Sequence, residues 1–200
     1  MAEITYPSGL ILPASLQWGL AANTQAFTSP LSQASQTLEL PGARWTATLN
    51  YPPLVDAEAA QLQAFVIALK GRANRVRMWN MARPNPRGNA TGAPIVAGAA
   101  QLGNTLTTSG WTPSTAVLKA GDFVGIGGEL KMITADVSSD GSGLGTLAFS
   151  PPLRGSPTDS SAIVTTKPTA LMRLDGDNQS WLTSPGLFTE YTLSLAEAFT

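Results

Sequence analysis

Hydrophobic and polar residues alternate strictly from Arg44 to Tyr51. Trp45, Ala47, Leu49 and Tyr51 fall on one face, and Arg44, Thr46, Thr48 and Asn50 on the other. A period of two, rich in aromatic and β-branched residues, predicts a half-buried antiparallel strand. The run from Gln36 to Leu40 predicts its partner, with Pro41-Gly42 as the turn between them; proline presets φ there and glycine tolerates a positive one. Pro52-Pro53 is expected to end the second strand, because proline donates nothing to a ladder. Near the C-terminus the alternation returns. Tyr191, Leu193 and Leu195 oppose Glu190, Thr192 and Ser194 within a strand expected from Phe188 to Leu195, and another is expected from Thr169 to Asp175.

One segment changes period. Leu62, Phe65, Val66 and Leu69 fall at i, i+3, i+4 and i+7 and predict an amphipathic helix over 56–70,. Asp56 is the expected N-cap, Glu58 complements the dipole, Lys70 lies in the last turn and Gly71 takes the C′ position,. The stripe reads as core packed on a sheet. Asn74–Asn80 reads as a further strand, and the Pro- and Gly-laden stretch Arg83–Asn89 as a linker or boundary,.

From about Ala93 to Pro168 the texture becomes short strands and glycine turns. Strands are expected at Thr105–Thr108, Phe123–Ile126, Leu130–Ala135, Thr146–Phe149 and Ala162–Thr166. Gly127-Gly128 predicts a tight hairpin and Asp140-Gly141 another turn. The fold class predicted is therefore mainly β. An antiparallel β-sandwich or barrel with one amphipathic helix comprises 1–90 and 169–200, and 91–168 is an inserted small β-barrel-like domain,.

Composition then narrows the chemistry. The 200 residues include no histidine and no cysteine, only 12% are charged, and 13 are Asp or Glu. A Ser-His-Asp triad, thiolate catalysis and Cys/His metal sites are excluded within one chain. A glycosidase needs a carboxylate pair, and no feature selects one. Gly125-Ile126-Gly127-Gly128 lacks the dinucleotide-fingerprint spacing. Asp175-Gly176-Asp177-Asn178 and Asp136–Gly141 lack the ligand series of a calcium loop and read as turns,. The chain is thus expected to be no enzyme and to need no cofactor or metal.

Charge at half the usual density of about 25% suggests a surface covered by neighbours. A net charge of −1 gives nucleic acid little to bind,. The basic cluster Lys70, Arg72, Arg75, Arg77, Arg83 and Arg87 is expected to face solvent or pair with carboxylates of adjoining subunits. Trp18, Trp111 and Trp181 sit in Gly/Ser/Thr-rich surroundings. They suit either stacking on sugars or anchoring subunit contacts, and tryptophan is a common hot spot. The interface residues expected are Trp18, Trp45, Arg75, Arg77, Trp79 and Trp181. Met1–Pro7 has no signal-peptide pattern and no stretch approaches a membrane span, so a soluble, cytoplasmically made chain is expected,. The sequons at Asn89 and Asn178 read as chance matches.

Several segments resemble, in order, a family of distal-tail or baseplate-hub proteins of long-tailed bacteriophages. They are Trp18-Gly19-Leu20, Phe27-Thr28-Ser29-Pro30-Leu31-Ser32, Leu40-Pro41-Gly42-Ala43-Arg44-Trp45, Arg77-Met78-Trp79-Asn80, Leu118-Lys119-Ala120-Gly121-Asp122 and Ser150-Pro151-Pro152-Leu153-Arg154. The resemblance implies a virion protein at the tail tip, made in the host cytoplasm. It implies a homo-oligomeric ring, six-fold or else three-fold, that contacts tube, hub and fibre proteins and meets DNA only as passing cargo. From a different class, a carbohydrate-binding module recognising cell-surface glycan through 91–168 is the alternative expectation.

Overall fold

The computed structural model describes residues 1–199. The first part of the chain forms β1 (Glu3–Ile4), β2 (Ser15–Ala21), β3 (Thr24–Thr28), β4 (Ser35–Glu39), β5 (Arg44–Leu54), α1 (Asp56–Leu69) and β6 (Arg75–Trp79). Next come β7 (Gly92–Val96), β8 (Gly103–Trp111), β9 (Ala116–Leu118), β10 (Phe123–Ile126), β11 (Glu129–Ile133), β12 (Val137–Ser138) and β13 (Gly145–Leu153). The chain closes with β14 (Thr169–Leu174), β15 (Leu182–Ser184) and β16 (Phe188–Glu197). The molecule is mainly β with one helix, as its patterning predicts.

The larger sheet runs β1-β6-β14-β16-β5-β2, with β15 added beside β16. The alternating β5 lies between β2 and β16, with Leu49 opposite Leu16 on one side and Leu193 on the other. Its apolar face, Trp45, Ala47, Leu49, Tyr51 and Leu54, is buried together with Leu62, Phe65, Val66 and Leu69 of α1. Each of the four α1 side chains contributes about 1.5–3 kcal/mol before entropy. The smaller sheet, β10-β11-β13-β8-β7, is antiparallel and has a second core around Leu106, Val124, Ile126, Leu147 and Phe149. Gly127 and Gly128 turn β10 into β11 with φ of +57° and +83°, a conformation that favours glycine,.

Several local expectations need correction. β4, which contains most of the 36–40 run, pairs with β3 and not with β5, because both edges of β5 are already occupied by β2 and β16. β5 also continues through Pro52 and Pro53 to Leu54. Pairing with β2 stops at Asn50, so the prolines leave no donor missing on that edge, and a register shift against β16 absorbs them,. The helix cap is Val55, with no side-chain bond; Asp56 is already helical. Lys70 is not in the last turn but is the left-handed C-cap. Ala162–Thr166 forms no strand, only isolated bridges through Ala162 and Val164.

Two segments join the sheets, and both are fastened. Lys167 N donates to Pro84 O at 2.6 Å, which ties the chain entering the smaller sheet to the chain leaving it. Gly88 lies so close to β9 that a Cβ there would fall 2.3 Å from Val117 O. The stretch expected as a linker is therefore docked.

Candidate interface and ligand surfaces

Four of the six expected interface residues are tied into the chain's own packing. Trp45 is only 2% exposed; its Nε1 donates to Leu130 O at 2.8 Å and its ring meets Phe123 edge-on at 5.5 Å. That ring lies between the sheets and cannot reach a neighbour, which corrects its assignment to a subunit contact. Trp79 is half-buried, edge-on to Tyr6 at 5.8 Å and under Lys167 Nζ. Arg77 pairs with Glu3 at 2.9 Å, and Arg75 donates to Phe199 O.

Trp18 and Trp181 are different. Trp18 is half-buried 6.4 Å from Trp45, and its buried Nε1 finds no acceptor among the described residues. It borders a cleft of about 310 Å³ with Leu16, Asn80 and Met132. Trp181 is 40% exposed.

The remaining arginines of the basic cluster are also used internally, and Lys70 is exposed. Arg72 donates from Nε to Asp175 O at 2.8 Å, and Arg83 donates to Gly121 O at 3.2 Å. Arg87 pairs with Asp122 at 3.3 Å and also donates to Ala120 O. Asp122 is buried and gathers the backbone N–H groups of Arg87, Gly88 and Lys119. Burial raises its carboxyl, but these donors outweigh it and hold the group below the usual carboxylate range,. No periodicity marks this contact, although Asp122 sits in a quoted resemblance motif.

The segment with the least internal support is the β3–β4 hairpin. All ten strand residues are exposed, and the hairpin forms a separate two-stranded sheet. Phe27 opposite Gln36 and Leu38 opposite Gln25 share one face, with rings and methyls 68% and 58% exposed; Leu31 at the tip is 96% exposed. Between Thr24 and Glu39 the only charged residue is Glu39. Of these positions only Leu38 falls in the run expected beside β5, and no strand is expected at Phe27 or Leu31, so the sequence pattern marks none of them as an interface residue.

A groove of about 670 Å³ opens beside β16, between the 175–182 loop and the outer face of the strand. Trp181 lies 6.5 Å from Tyr191, whose hydroxyl donates to Gln179 Oε1 at 2.6 Å; Gln179 Nε2 in turn donates to Gly176 O at 2.9 Å. Burial pushes the Tyr191 hydroxyl up to about 12, so it stays a neutral donor. Asp175 and Glu190 also line the groove. The Asp175–Asn178 turn serves the chain itself, since Asp177 accepts from Arg72 N.

The segment 91–168 offers no comparable surface. Its aromatic residues, Trp111, Phe123 and Phe149, are all buried, and Trp111 Nε1 is spent on Thr108 Oγ1 at 2.7 Å. A glycan site there has no ring on which to stack a sugar. Among the described residues no helix is long and apolar enough to cross a membrane, and no three His, Cys, Asp or Glu side chains gather where they would hold a metal ion. No protein-family model matches the chain, and no curated protein matches it in sequence.

Proposed function

We propose that this chain is a structural subunit of the tail tip of a long-tailed phage, forming a ring that joins the tail tube to the adsorption apparatus. The β3–β4 hairpin carries the proposal. An isolated two-stranded hairpin is marginal in water, and exposed apolar positions on a nearly uncharged arm favour burial against another surface. A closed ring needs such a heterologous contact, in which one patch meets a different patch on the next copy. The resemblance of its sequence segments to tail-tip proteins supports the same reading. Six copies are favoured and three are the alternative, with DNA passing through the opening.

Solution mass measurement followed by imaging tests this. A six-fold ring with a DNA-wide opening is expected, and a three-fold particle moves the chain to the hub. Phe27→Asp with Leu38→Asp should leave the unfolding free energy of the subunit within about 0.5 kcal/mol while converting rings to monomers. A wild-type monomer that antibodies fail to find on virions overturns the proposal.

A further inference from the structure

We propose that the groove beside β16 is a binding site for neutral glycan, with Trp181 as the stacking platform. A pyranose has an apolar C–H face and a rim of hydroxyls, so its receptor needs an exposed ring next to fixed hydrogen-bonding groups. This groove has both. Trp181 is partly exposed at its wall and is braced by Tyr191. The Gln179 amide is held by the Tyr191 hydroxyl on one side and Gly176 O on the other, so less ordering remains to be done on binding. The volume lies within the range of about 300–1,000 Å³ typical of ligand clefts,.

Charge selects among sugars. Asp175 and Glu190 are the charged residues lining the groove, and neither takes part in an ion pair among the described residues. Carboxylates accept strong hydrogen bonds from hydroxyl groups and repel anionic polymers. The outward face of the sheet continues the polar surface. Thr192 donates to Asn50 Oδ1, and Asn50 donates to Ser15 Oγ, each at 2.9 Å. A chain of sugars leaving the groove would run along this strip of three strands.

Glycan binding here is independent of ring formation and is measured on protein of known oligomeric state. The full chain is titrated calorimetrically with maltotetraose, chitotetraose and a neutral galactan oligosaccharide, and with oligogalacturonate as the anionic probe. At least one neutral probe should bind saturably and oligogalacturonate should not. Trp181→Ala should weaken binding at least ten-fold, Trp181→Phe should retain most of it, and Glu190→Gln should weaken it several-fold at an unchanged melting temperature. Three results each overturn the site: no saturable binding of any neutral probe, binding indifferent to Trp181→Ala, or preference for the anionic probe. Because ring mass is read on the same sample, rings without sugar binding refute the groove alone, and sugar binding by a strict monomer tells against the ring alone.

Discussion

Asp122 is a single side chain that holds two distant stretches together. Its oxygens accept from the backbone of Arg87, Gly88 and Lys119, so the 83–88 segment is tied to the loop ahead of β10. Because the folded carboxyl titrates below its ordinary range, its contribution is fully present above about pH 4 and fades as pH falls through the folded value,. Asp122→Asn should therefore cost about 1.5–3 kcal/mol at pH 7. In denaturant titrations at pH 7, 5 and 3, the gap between wild type and variant should close on acidification. A gap that stays constant would show that the residue acts by shape and not by charge. Lys131 shows the opposite balance. It is buried, which lowers its pKa, and it remains paired with Glu129 at 2.6 Å while donating to Pro152 O.

At the scale of elements, α1 and the hairpin illustrate two relations between pattern and support. The α1 stripe buries where its 3.6 period places it, with Phe65 edge-on to Tyr6 at 5.5 Å. Truncating Phe65 to Ala leaves a cavity between helix and sheet and should cost about 3–5 kcal/mol, read as a fall in denaturation midpoint with an unchanged m-value. A loss under 1 kcal/mol would mean that the helix is peripheral to the core. The hairpin has ordinary alternation but no sheet beneath it. Its alternation resembles that of a core strand, so its sequence pattern alone does not distinguish β4 from a strand beside β5.

Across the whole molecule, the larger core takes in side chains of the smaller sheet. Trp45 of the larger sheet meets Phe123 and Leu130 of the smaller one, and Arg154 pairs with Glu197 at 2.6 Å across the same junction. Glu197 also accepts from Trp45 N at 3.0 Å. Phe123→Ala should lower both halves together, and calorimetry should still show one transition. Two transitions, with only one of them displaced, would show that the sheets unfold independently.

The most strongly alternating strands, the helix and the Gly127-Gly128 turn follow from local rules, because period and turn chemistry act over a few residues, whereas Ala162–Thr166 forms no strand. The alternation of 44–51 and 188–195, the stripe of α1 and Gly127-Gly128 all appear where the sequence pattern predicts them. Which strands pair, and which rings are covered, was decided by tertiary structure. Trp45 and Trp181 have the same side chain, yet one is enclosed between sheets and the other borders an open groove. The difference comes from residues 85 and 10 positions away, Leu130 and Tyr191, and no local pattern reports such contacts. The arginines of the 72–87 cluster likewise found carbonyls and carboxylates of their own chain, because buried and docked backbone must satisfy its hydrogen-bonding groups.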